Sequence, residues 1–496
     1  MGKTSSSSKH LRSGVLPWMK RVLRGCDRVQ LDWNEDAVHD LRVALRRCCS
    51  MADGISRVDP DRAWHRMKRS ARELFRALGN LRDAQVLEGW VRKFAPTDDP
   101  VRQLLLQRLA ARRQLHRQEA DEALERFDRK KWRHLAAHLA KPARAVSPDG
   151  LVAQHLALEY WKGAHDLHVQ ACHRRSRLAW HRVRIALKRL RYCAENFLPH
   201  RYEDWSTSLK RVQDLLGEVH DLDTLYAALR PIRRQVSPED MARWEEKIAS
   251  ERAERLNEYR RVAKGDESVF NFWRAGLPLG AREQAAAMAR LTAWAAFLDC
   301  DSRHSHHLAD LALQLYDGLS AAGVHEFFRE ARGRRILHAA ALLHDVGRSE
   351  GEKGRHKASY RLIRDLPPPL GWFADDMRWI ALVARYHRGA EPRASHEGFS
   401  SMGLAEQQGL LWLAAIVRLA DGLDGERDGR ISRLTVQVAP EALLIRARGY
   451  VQDLFSASHL AERKHLLESV ARRPVIVRAE DIQPAAVLPM RASLAS

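Results

Sequence analysis

A basic helical segment occurs twice in this chain. The first copy, residues 38–47, reads VHDLRVALRR, and the second, residues 180–189, reads WHRVRIALKR. The offset from His39 to His181 is 142 residues, and each copy is followed by a related phrase, LGNLRDAQVL from Leu78 and LGEVHDLDTL from Leu216. A repeat this long exceeds one small solenoid unit. It predicts a duplicated helical subdomain that presents the same cationic motif twice.

The charge of the chain indicates an anionic partner. The 496 residues include 84 Lys and Arg against 63 Asp and Glu, a formal net charge of +21. Such an excess favours binding to nucleic acid, inorganic polyphosphate or an anionic membrane surface. The six cysteines form no Cys-x-x-Cys pair, which argues against zinc fingers and a disulfide framework and fits a reducing cytoplasm. No apolar run reaches the roughly 18 residues of a membrane span.

Helical periodicity dominates the chain, so the predicted fold class is mainly α. Three short segments near the end, LTVQV (434–438), ALLIRAR (442–448) and PVIVRA (474–479), read as strands around a helix at about 451–471. The predicted organisation is a tail over 1–14, two helical halves over about 15–145 and 150–270, a linker over 271–281, a helical domain over 282–430, a small α+β cap over 431–480 and a tail over 481–496.

The repeated helices carry their cations on one face. His39, Arg42 and Arg46 follow one another at helical steps of three and four residues, and His181, Arg184, Lys188 and Arg191 repeat the pattern. Such a stripe suits a row of phosphates, because Arg donates bidentate hydrogen bonds and Lys supplies a point charge. A solvated basic face is the alternative, and the duplication of the register disfavours it. Aromatic residues do not interleave regularly with the stripe, which weakens a base-stacking mode of nucleic-acid binding.

Residues of about 15–270 resemble the CHAD domain, the conserved histidine α-helical domain. The resemblance rests on the His-x-x-Arg-x-x-x-[Arg/Lys] helix in each half and on the later Leu-Gly-x-x-x-Asp phrase, in which Asp83 and Asp221 hold the acidic position. It implies two pseudo-symmetric helical bundles around a basic cavity that binds inorganic polyphosphate. The implied binding residues are His39, Arg42, Arg46, Lys68, Arg72, His181, Arg184, Lys188, Arg191 and Lys210. Cys49 stands where the second half has Arg191, so we expect the first half to bind less strongly.

A second set of residues in the C-terminal half has the composition of a metal site. It consists, in order, of His304, His344-Asp345, His356, His387 and Asp421, placed on or between successive predicted helices. Neutral imidazoles and carboxylates suit divalent transition metals, and carboxylates also suit Mg. The ordered set predicts metal binding, whereas each histidine alone is more often structural or exposed.

The flanks of these residues resemble the HD superfamily of metal-dependent phosphohydrolases. ARYHRGAEP (384–392) and LAAIVRLADGLD (413–424) are similar in particular to the HD-like domain of the exopolyphosphatase/guanosine-pentaphosphatase family, over about 282–480. The resemblance implies a divalent metal (Mn, Mg, Fe or Co), with a first ion on His304, His344, Asp345 and Asp421, a second on His356 and His387, and a catalytic role for His344, Asp345 and Arg348.

Three departures from that family bear on the chemistry. Arg348 replaces the usual Lys after the His-Asp-x-Gly motif, and Ala358 stands where a second His is common. The sequence also lacks the Gly-rich phosphate loops of the actin-like ATPase half that carries catalysis in exopolyphosphatases. We therefore expect that the usual route of that family is not available to this chain.

Three functions follow from these patterns. The first is a cytoplasmic polyphosphate-binding protein whose HD domain hydrolyses polyphosphate or a phosphorylated nucleotide. The alternative is a non-enzymatic polyphosphate-binding protein, associated with polyphosphate granules, in which the HD-like domain only binds. RNA or DNA binding is supported by charge alone and is not favoured.

Overall fold

The computed structural model describes residues 14–174, 176–451 and 454–480. The chain divides into two compact units, with the division between Arg290 and Leu291. The part of the chain that is described is mainly α-helical with one small sheet, so the predicted fold class is confirmed. The predicted tails lie outside the described residues, apart from Gly14. None of the described helices is long and apolar enough to cross a membrane.

Unit 1, up to Arg290, is built from helices. They are α1 (Val15–Leu31), α2 (Glu35–Ile55), α3 (Ala63–Phe94), α4 (Pro100–Glu125), α5 (Arg129–Leu139), α6 (Leu151–Arg174), α7 (Arg177–Phe197), α8 (Pro199–Leu229), α9 (Pro238–Ala263), α10 (Val269–Ala275) and the first part of α11 (Ala281–Leu298). The two repeated segments form α2 and α7. Side-chain caps begin both helices, because Asn34 accepts from the amide of Ala37 and Ser176 from the amide of Ala179.

The repeated helices each bury an apolar face. Leu41 and Leu45 of α2 and Val183 and Leu187 of α7 are fully buried. The two helices also pack against each other. Gly54, near the end of α2, lies against the Phe197 ring of α7, since a Cβ at position 54 would be 2.6 Å from Phe197 Cε2. The two halves of the repeat therefore meet through the helices that carry the cations.

The segment predicted as a linker, 271–281, contains ordered structure. Helix α10 runs through its first half, and Phe270 and Trp273 of that helix are buried in unit 1. The indole of Trp161 donates a 3.0 Å hydrogen bond to the Phe270 carbonyl. The apolar side chains and this hydrogen bond fix α10, while Gly276 ends it. The division between the units lies further along, within α11.

Unit 2 contains the remaining helices and the sheet. After the second part of α11 come α12 (Ser302–Ala321), α13 (Ala331–Leu343), α14 (Arg355–Arg364), α15 (Ala374–Tyr386), α16 (Leu404–Leu423), β1 (Arg433–Val438), β2 (Leu443–Arg448), α17 (Leu454–Ala471) and β3 (Val475–Ala479). The strand order is β1-β2-β3, with β1 antiparallel and β3 parallel to β2. Helix α17 is the crossover between the parallel strands, which matches the predicted strand-strand-helix-strand cap.

Helix α16 forms the centre of unit 2. It is buried almost all round its middle turns, from Leu410 to Asp421. A helix that is apolar on every side is stable only inside a core, so other helices surround it. Helices α12, α13, α15 and α17 contact it. Asp421 near its end is thereby brought to the ends of the helices that carry the predicted histidines.

Candidate functional site

Four cations from both copies of the repeat meet in unit 1. Arg42 and Arg46 lie on α2, and Arg184 and Lys188 lie on the facing surface of α7. Burial, together with the positive charges of Arg184, Arg42 and Arg46, lowers the pKa of Lys188 to about 8. We call these four residues the cation cluster. The sequence predicted a cationic stripe on each repeated helix, and the resemblance implied that both stripes face one basic cavity. In the structure these four residues lie close together.

The cation cluster has few partners within the protein. Among the residues the structure describes, Arg46, Arg184 and Lys188 have no carboxylate within ion-pair distance, and the Nε atoms of Arg46 and Arg184 are buried without a hydrogen-bond acceptor. The guanidinium of Arg46 covers the ring of Tyr192 at 4.9 Å. Half-buried cations without counter-ions lose part of their hydration without a compensating partner, which costs free energy. An anionic ligand would supply the missing partners.

Two repeat-related carboxylates and a histidine flank the cluster. Asp83 is 3.9 Å from Arg42, and Asp221 accepts a hydrogen bond of 3.3 Å from the Trp90 indole. The ring of His220 lies 5.1 Å from that of His181. Burial and the nearby cations lower the pKa of His220 to about 4, so this histidine is neutral at physiological pH.

A cleft of about 210 Å³ opens beside these groups and is lined by Asp83, His220 and Asp221, among others. The sequence reasoning did not select His220. His220 stands directly before Asp221 in the second Leu-Gly phrase, and this position could have identified it from the sequence.

The other predicted binding residues of unit 1 have different surroundings. Lys68 forms an ion pair with Asp53, and Lys210 pairs with Asp214 at 2.6 Å while remaining exposed. Arg191 donates to the Gln213 side chain at 2.9 Å. His39 and Arg72 are exposed. Burial raises the pKa of Cys49, which takes the place of Arg191 in the first half, to about 11. Carboxylates thus already neutralise Lys68 and Lys210.

Helix ends bring the predicted metal ligands of unit 2 together. His304 lies on α12, His344 follows α13, His387 follows α15 and Asp421 lies on α16. One ligand atom from each of His304, His344 and Asp421 lies within 4.8 Å of the others, and the same holds for His344, Asp345 and His387. The His304 Nε2 to Asp421 Oδ1 distance is 3.5 Å. All of these side chains are buried.

Hydrogen bonds at the Nδ1 atoms of the three histidine rings orient their Nε2 atoms toward this site. The Nδ1 atoms of His344 and His387 donate to the carbonyls of Ala341 and Ala384, each at 2.7 Å. In the part of unit 2 that is described, the Nε2 atoms of His304, His344 and His387 and one oxygen of Asp345 are buried without a hydrogen-bond partner. Imidazole Nε2 lone pairs held by second-shell hydrogen bonds are ordinary ligands of divalent metals. The residues present therefore fit a metal ion.

The charges of the site follow from these contacts. Against the effect of burial, the histidines and arginines around Asp345 lower the pKa of that carboxyl to about 2. Burial lowers the pKa of His387 to about 3, so its ring is neutral. The carboxylates of Asp421 and Asp424 outweigh the effect of burial and raise the pKa of His304 to about 9. The site thus holds ionised carboxylates beside a neutral imidazole.

His356 belongs to neither group of close ligand atoms. It lies half-buried in the first turn of α14, and a Cβ on Gly389 would lie 3.3 Å from its Nε2 atom. Burial and the positive charge of Arg385 and Arg388 lower its pKa to about 4. The resemblance implied a second metal on His356 and His387, whereas the structure groups His387 with His344 and Asp345.

Two arginines that the sequence reasoning did not select contact Asp345 directly. Arg427 is 2.9 Å from one of its oxygens and Arg355 is 2.9 Å from the other. Arg348, which was expected in a catalytic role, is 3.9 Å from Asp345 and pairs with Glu352 at 2.8 Å.

Gly347 makes the approach of Arg355 possible. A Cβ at position 347 would lie 2.1 Å from the Arg355 carbonyl oxygen. The glycine of the His-Asp-x-Gly motif therefore lets α14 pack close to the end of α13.

Comparison with known proteins finds two family models that match separate parts of the chain. Residues 19–230 match the CHAD domain, and residues 287–469 match the Ppx/GppA phosphatase, domain III. The crystal structure of the CHAD domain from the plant Ricinus communis is similar at 21% sequence identity and a TM-score of 0.37, covering 55% of this chain and 92% of that chain. No curated protein matches the chain. The chain therefore carries a CHAD domain and a C-terminal Ppx/GppA phosphatase domain III, as the sequence predicted, and the two fit a function related to polyphosphate.

Proposed function

We propose that this protein binds inorganic polyphosphate at the cation cluster of unit 1. The observation that carries the proposal is the meeting of Arg42, Arg46, Arg184 and Lys188, from both copies of the repeat, with three of the four lacking an ion pair among the described residues. On each helix the cations recur after one turn, a rise of about 5.4 Å. A chain of linked phosphates offers anionic oxygens at intervals that such a row can follow.

The surroundings of the cluster favour polyphosphate over nucleic acid. Sequence-tolerant binding of single strands uses aromatic rings on which bases stack. Tyr192 contacts the cluster, and the Arg46 guanidinium already covers its ring. A polyanion without bases needs only the cations.

The test compares polyphosphate binding by the wild type and by a variant with Arg42→Gln and Arg184→Gln. One residue from each half is neutralised without adding negative charge, and we expect affinity to fall at least about 100-fold, since each charge-assisted hydrogen bond contributes about 1.5–3 kcal/mol. Lys210→Gln is the matched control, because Lys210 is already paired with Asp214. Unchanged binding by the double variant, or preferential binding of RNA at equal phosphate concentration, would contradict the proposal.

We further propose that unit 2 is a metal-dependent phosphohydrolase that acts on phosphoanhydride bonds. The buried Nε2 atoms of His304, His344 and His387 beside Asp345 and Asp421 support it. These residues would hold a divalent cation (Mn, Mg, Fe or Co), which supplies Lewis-acid polarisation of a phosphoryl oxygen. The low pKa of Asp345 keeps this carboxylate ionised at every physiological pH.

The arginines around the site would neutralise substrate charge. Arg355 and Arg427 contact Asp345 and, like Arg348, lie where a phosphate close to that carboxylate would meet them. A guanidinium binds two phosphate oxygens at once, which positions the phosphoryl group as well as balancing its charge. Polyphosphate and a phosphorylated nucleotide both offer such a group.

A purely binding role for unit 2 is the alternative, and one measurement separates the two. Phosphate release from polyphosphate and from nucleoside triphosphates is followed with added Mn²⁺ or Mg²⁺, together with the metal content of the protein. We expect His344→Ala to abolish release, and His306→Ala to leave it unchanged because His306 is exposed and bonded to the Ser302 carbonyl. A metal-free wild type that binds polyphosphate without releasing phosphate would leave only the binding role.

A further inference from the structure

One arginine in unit 2 bridges two carboxylates at the His–Asp site. Arg427 follows α16 in the loop that leads to β1. Its Nη1 atom lies 2.7 Å from Asp301, the residue that caps α12, and its Nη2 atom lies 2.9 Å from Asp345. The arginine thus connects the start of the helix that carries His304 with the carboxylate between His344 and His387.

The backbone of Arg427 adopts a conformation that side chains disfavour. Its φ is +57°, in the left-handed region, where among the described residues only two other non-glycine positions are found. Such conformations persist where the surrounding structure imposes them, and they concentrate at functional sites.

Asp424 imposes this conformation. Its carbonyl accepts the Arg427 amide at 2.9 Å, and its carboxylate accepts the Gly429 amide at 3.0 Å. The same carboxylate contacts His304 Nδ1 at 2.6 Å. One residue therefore orients a metal-ligand candidate and also aims Arg427 at Asp345.

Two arginines hold the carboxylate of Asp345 at the point where the candidate metal ligands meet. Arg427 holds one carboxylate oxygen and Arg355 the other, while the same oxygens face the Nε2 atoms of His344 and His387 at 3.7 Å. A divalent cation on these ligands and the guanidinium of Arg427 would compete for the same negative charge. If Arg427 is displaced from Asp345 while its Nη1 atom stays on Asp301, the donors at Nη2 become free for a phosphate.

We propose that Arg427 is a phosphate-binding residue of the His–Asp site, held on Asp345 until a divalent cation takes that carboxylate. The proposal rests on the metal site of the proposed function. It gives Arg427 two alternative partners, the Asp345 carboxylate and the phosphate of the substrate. Metal binding and phosphate binding then support each other, because each ligand favours the same position of the arginine.

The experiment measures Mn²⁺ affinity of the full-length protein by calorimetry, with and without inorganic phosphate. In the wild type we expect phosphate to tighten Mn²⁺ binding. In Arg427→Gln we expect Mn²⁺ alone to bind several-fold more tightly, because a competing cation is gone, and the effect of phosphate to be largely lost. Arg430→Gln is the matched control: it removes the same charge from the same loop, but Arg430 pairs with Glu426 and Asp428.

The outcomes separate this proposal from the function on which it rests. Weaker or unchanged Mn²⁺ binding by Arg427→Gln, or an undiminished effect of phosphate, would overturn the role of Arg427 alone. A wild type that binds no Mn²⁺, Mg²⁺, Fe²⁺ or Co²⁺ would overturn both. If circular dichroism shows that Arg427→Gln does not fold, Arg427→Lys carries the test: it keeps the charge on Asp345 but lacks the fork, so we expect wild-type Mn²⁺ affinity and a reduced effect of phosphate.

Discussion

His304 and Asp424 are 120 positions apart in the sequence, and the imidazole Nδ1 lies 2.6 Å from a carboxylate oxygen of Asp424. A carboxylate only accepts hydrogen bonds, so it fixes the proton on Nδ1 and leaves Nε2 facing Asp421 at 3.5 Å. Partners of this kind set the tautomer of a metal-binding histidine and raise its basicity.

Asp424→Asn is therefore expected to weaken metal binding by about 10- to 100-fold. The amide can still accept from Gly429, but its NH₂ group would face His304 and favour the tautomer with the proton on Nε2. Calorimetric titration with Mn²⁺ measures the change, and Asp428→Asn in the same loop is the control. Equal affinities for the wild type and Asp424→Asn would mean that His304 is not a ligand.

The sequence predicted the ligand candidates of unit 2 but not the residues that orient them. His344, Asp345 and Asp421 stand in recognisable phrases at the ends of periodic segments, so their order along the chain was sufficient. Arg427 depends on a left-handed turn that Asp424 imposes, and no local pattern in the sequence specifies that turn. Its contact with Asp345 exists only once α13 and α16 are packed.

For the cations of unit 1, too, the sequence predicted the residues but not the contacts that depend on packing. Helical spacing placed Arg42 and Arg46 on one face of α2, and Arg184 and Lys188 on one face of α7. It does not show which carboxylates oppose a given cation. Lys210 is neutralised by Asp214 four residues later on its own helix, a pairing that spacing could have suggested. Lys68 is neutralised by Asp53 of α2, which depends on how α2 and α3 pack.

Polyphosphate binding is expected to weaken as the pH rises above about 8. Burial and the neighbouring arginines lower the pKa of Lys188 to about 8, and a bound polyanion would raise it again. Between pH 8 and the ordinary lysine pKa of about 10.4, Lys188 loses its proton in the free protein but keeps it in the complex. Binding therefore takes up a proton, and the affinity for polyphosphate falls by up to about tenfold per pH unit.

Lys188→Arg tests this pH dependence, since arginine stays charged throughout the range. Fluorescence anisotropy with end-labelled polyphosphate from pH 7 to 9.5 should show a falling affinity for the wild type and a flat profile for the variant. The stability of the unliganded protein should change with pH in the opposite direction. The unfolded chain binds more protons than the folded one in this pH window, so the free energy of unfolding should rise with pH. Identical pH profiles for the two proteins would contradict the assignment of Lys188.

The salt dependence of binding should distinguish cations of the cluster from paired cations elsewhere. Each phosphate contact on a single-stranded polyanion contributes about 0.7 to the slope of log affinity against log salt concentration. We expect Arg46→Gln to reduce the slope by about this amount and Lys210→Gln to leave it unchanged, because Lys210 is already paired. An equal reduction in both variants would place Lys210 at the binding site after all.

The contact between the two halves of the repeat should be sensitive to a single methyl group. Gly54→Ala would place a Cβ 2.6 Å from the ring of Phe197, so α2 and α7 would have to separate slightly, and we expect a loss of about 1–3 kcal/mol in the free energy of unfolding of unit 1. Gly89→Ala is the matched control: it also lies within a helix, open space surrounds its Cβ position, and the change should stabilise by about 0.5–1 kcal/mol.

Thermal unfolding followed by circular dichroism gives the order of stability, Gly89→Ala above the wild type and Gly54→Ala below it. Polyphosphate affinity should fall with Gly54→Ala even where the protein is fully folded, because Arg42 and Arg46 lie on one of the separated helices and Arg184 and Lys188 on the other. A destabilised Gly54→Ala protein with full affinity would show that the two helices bind polyphosphate independently. The cations of each repeat would then act as separate stripes, contrary to the shared basic cavity that the resemblance implied.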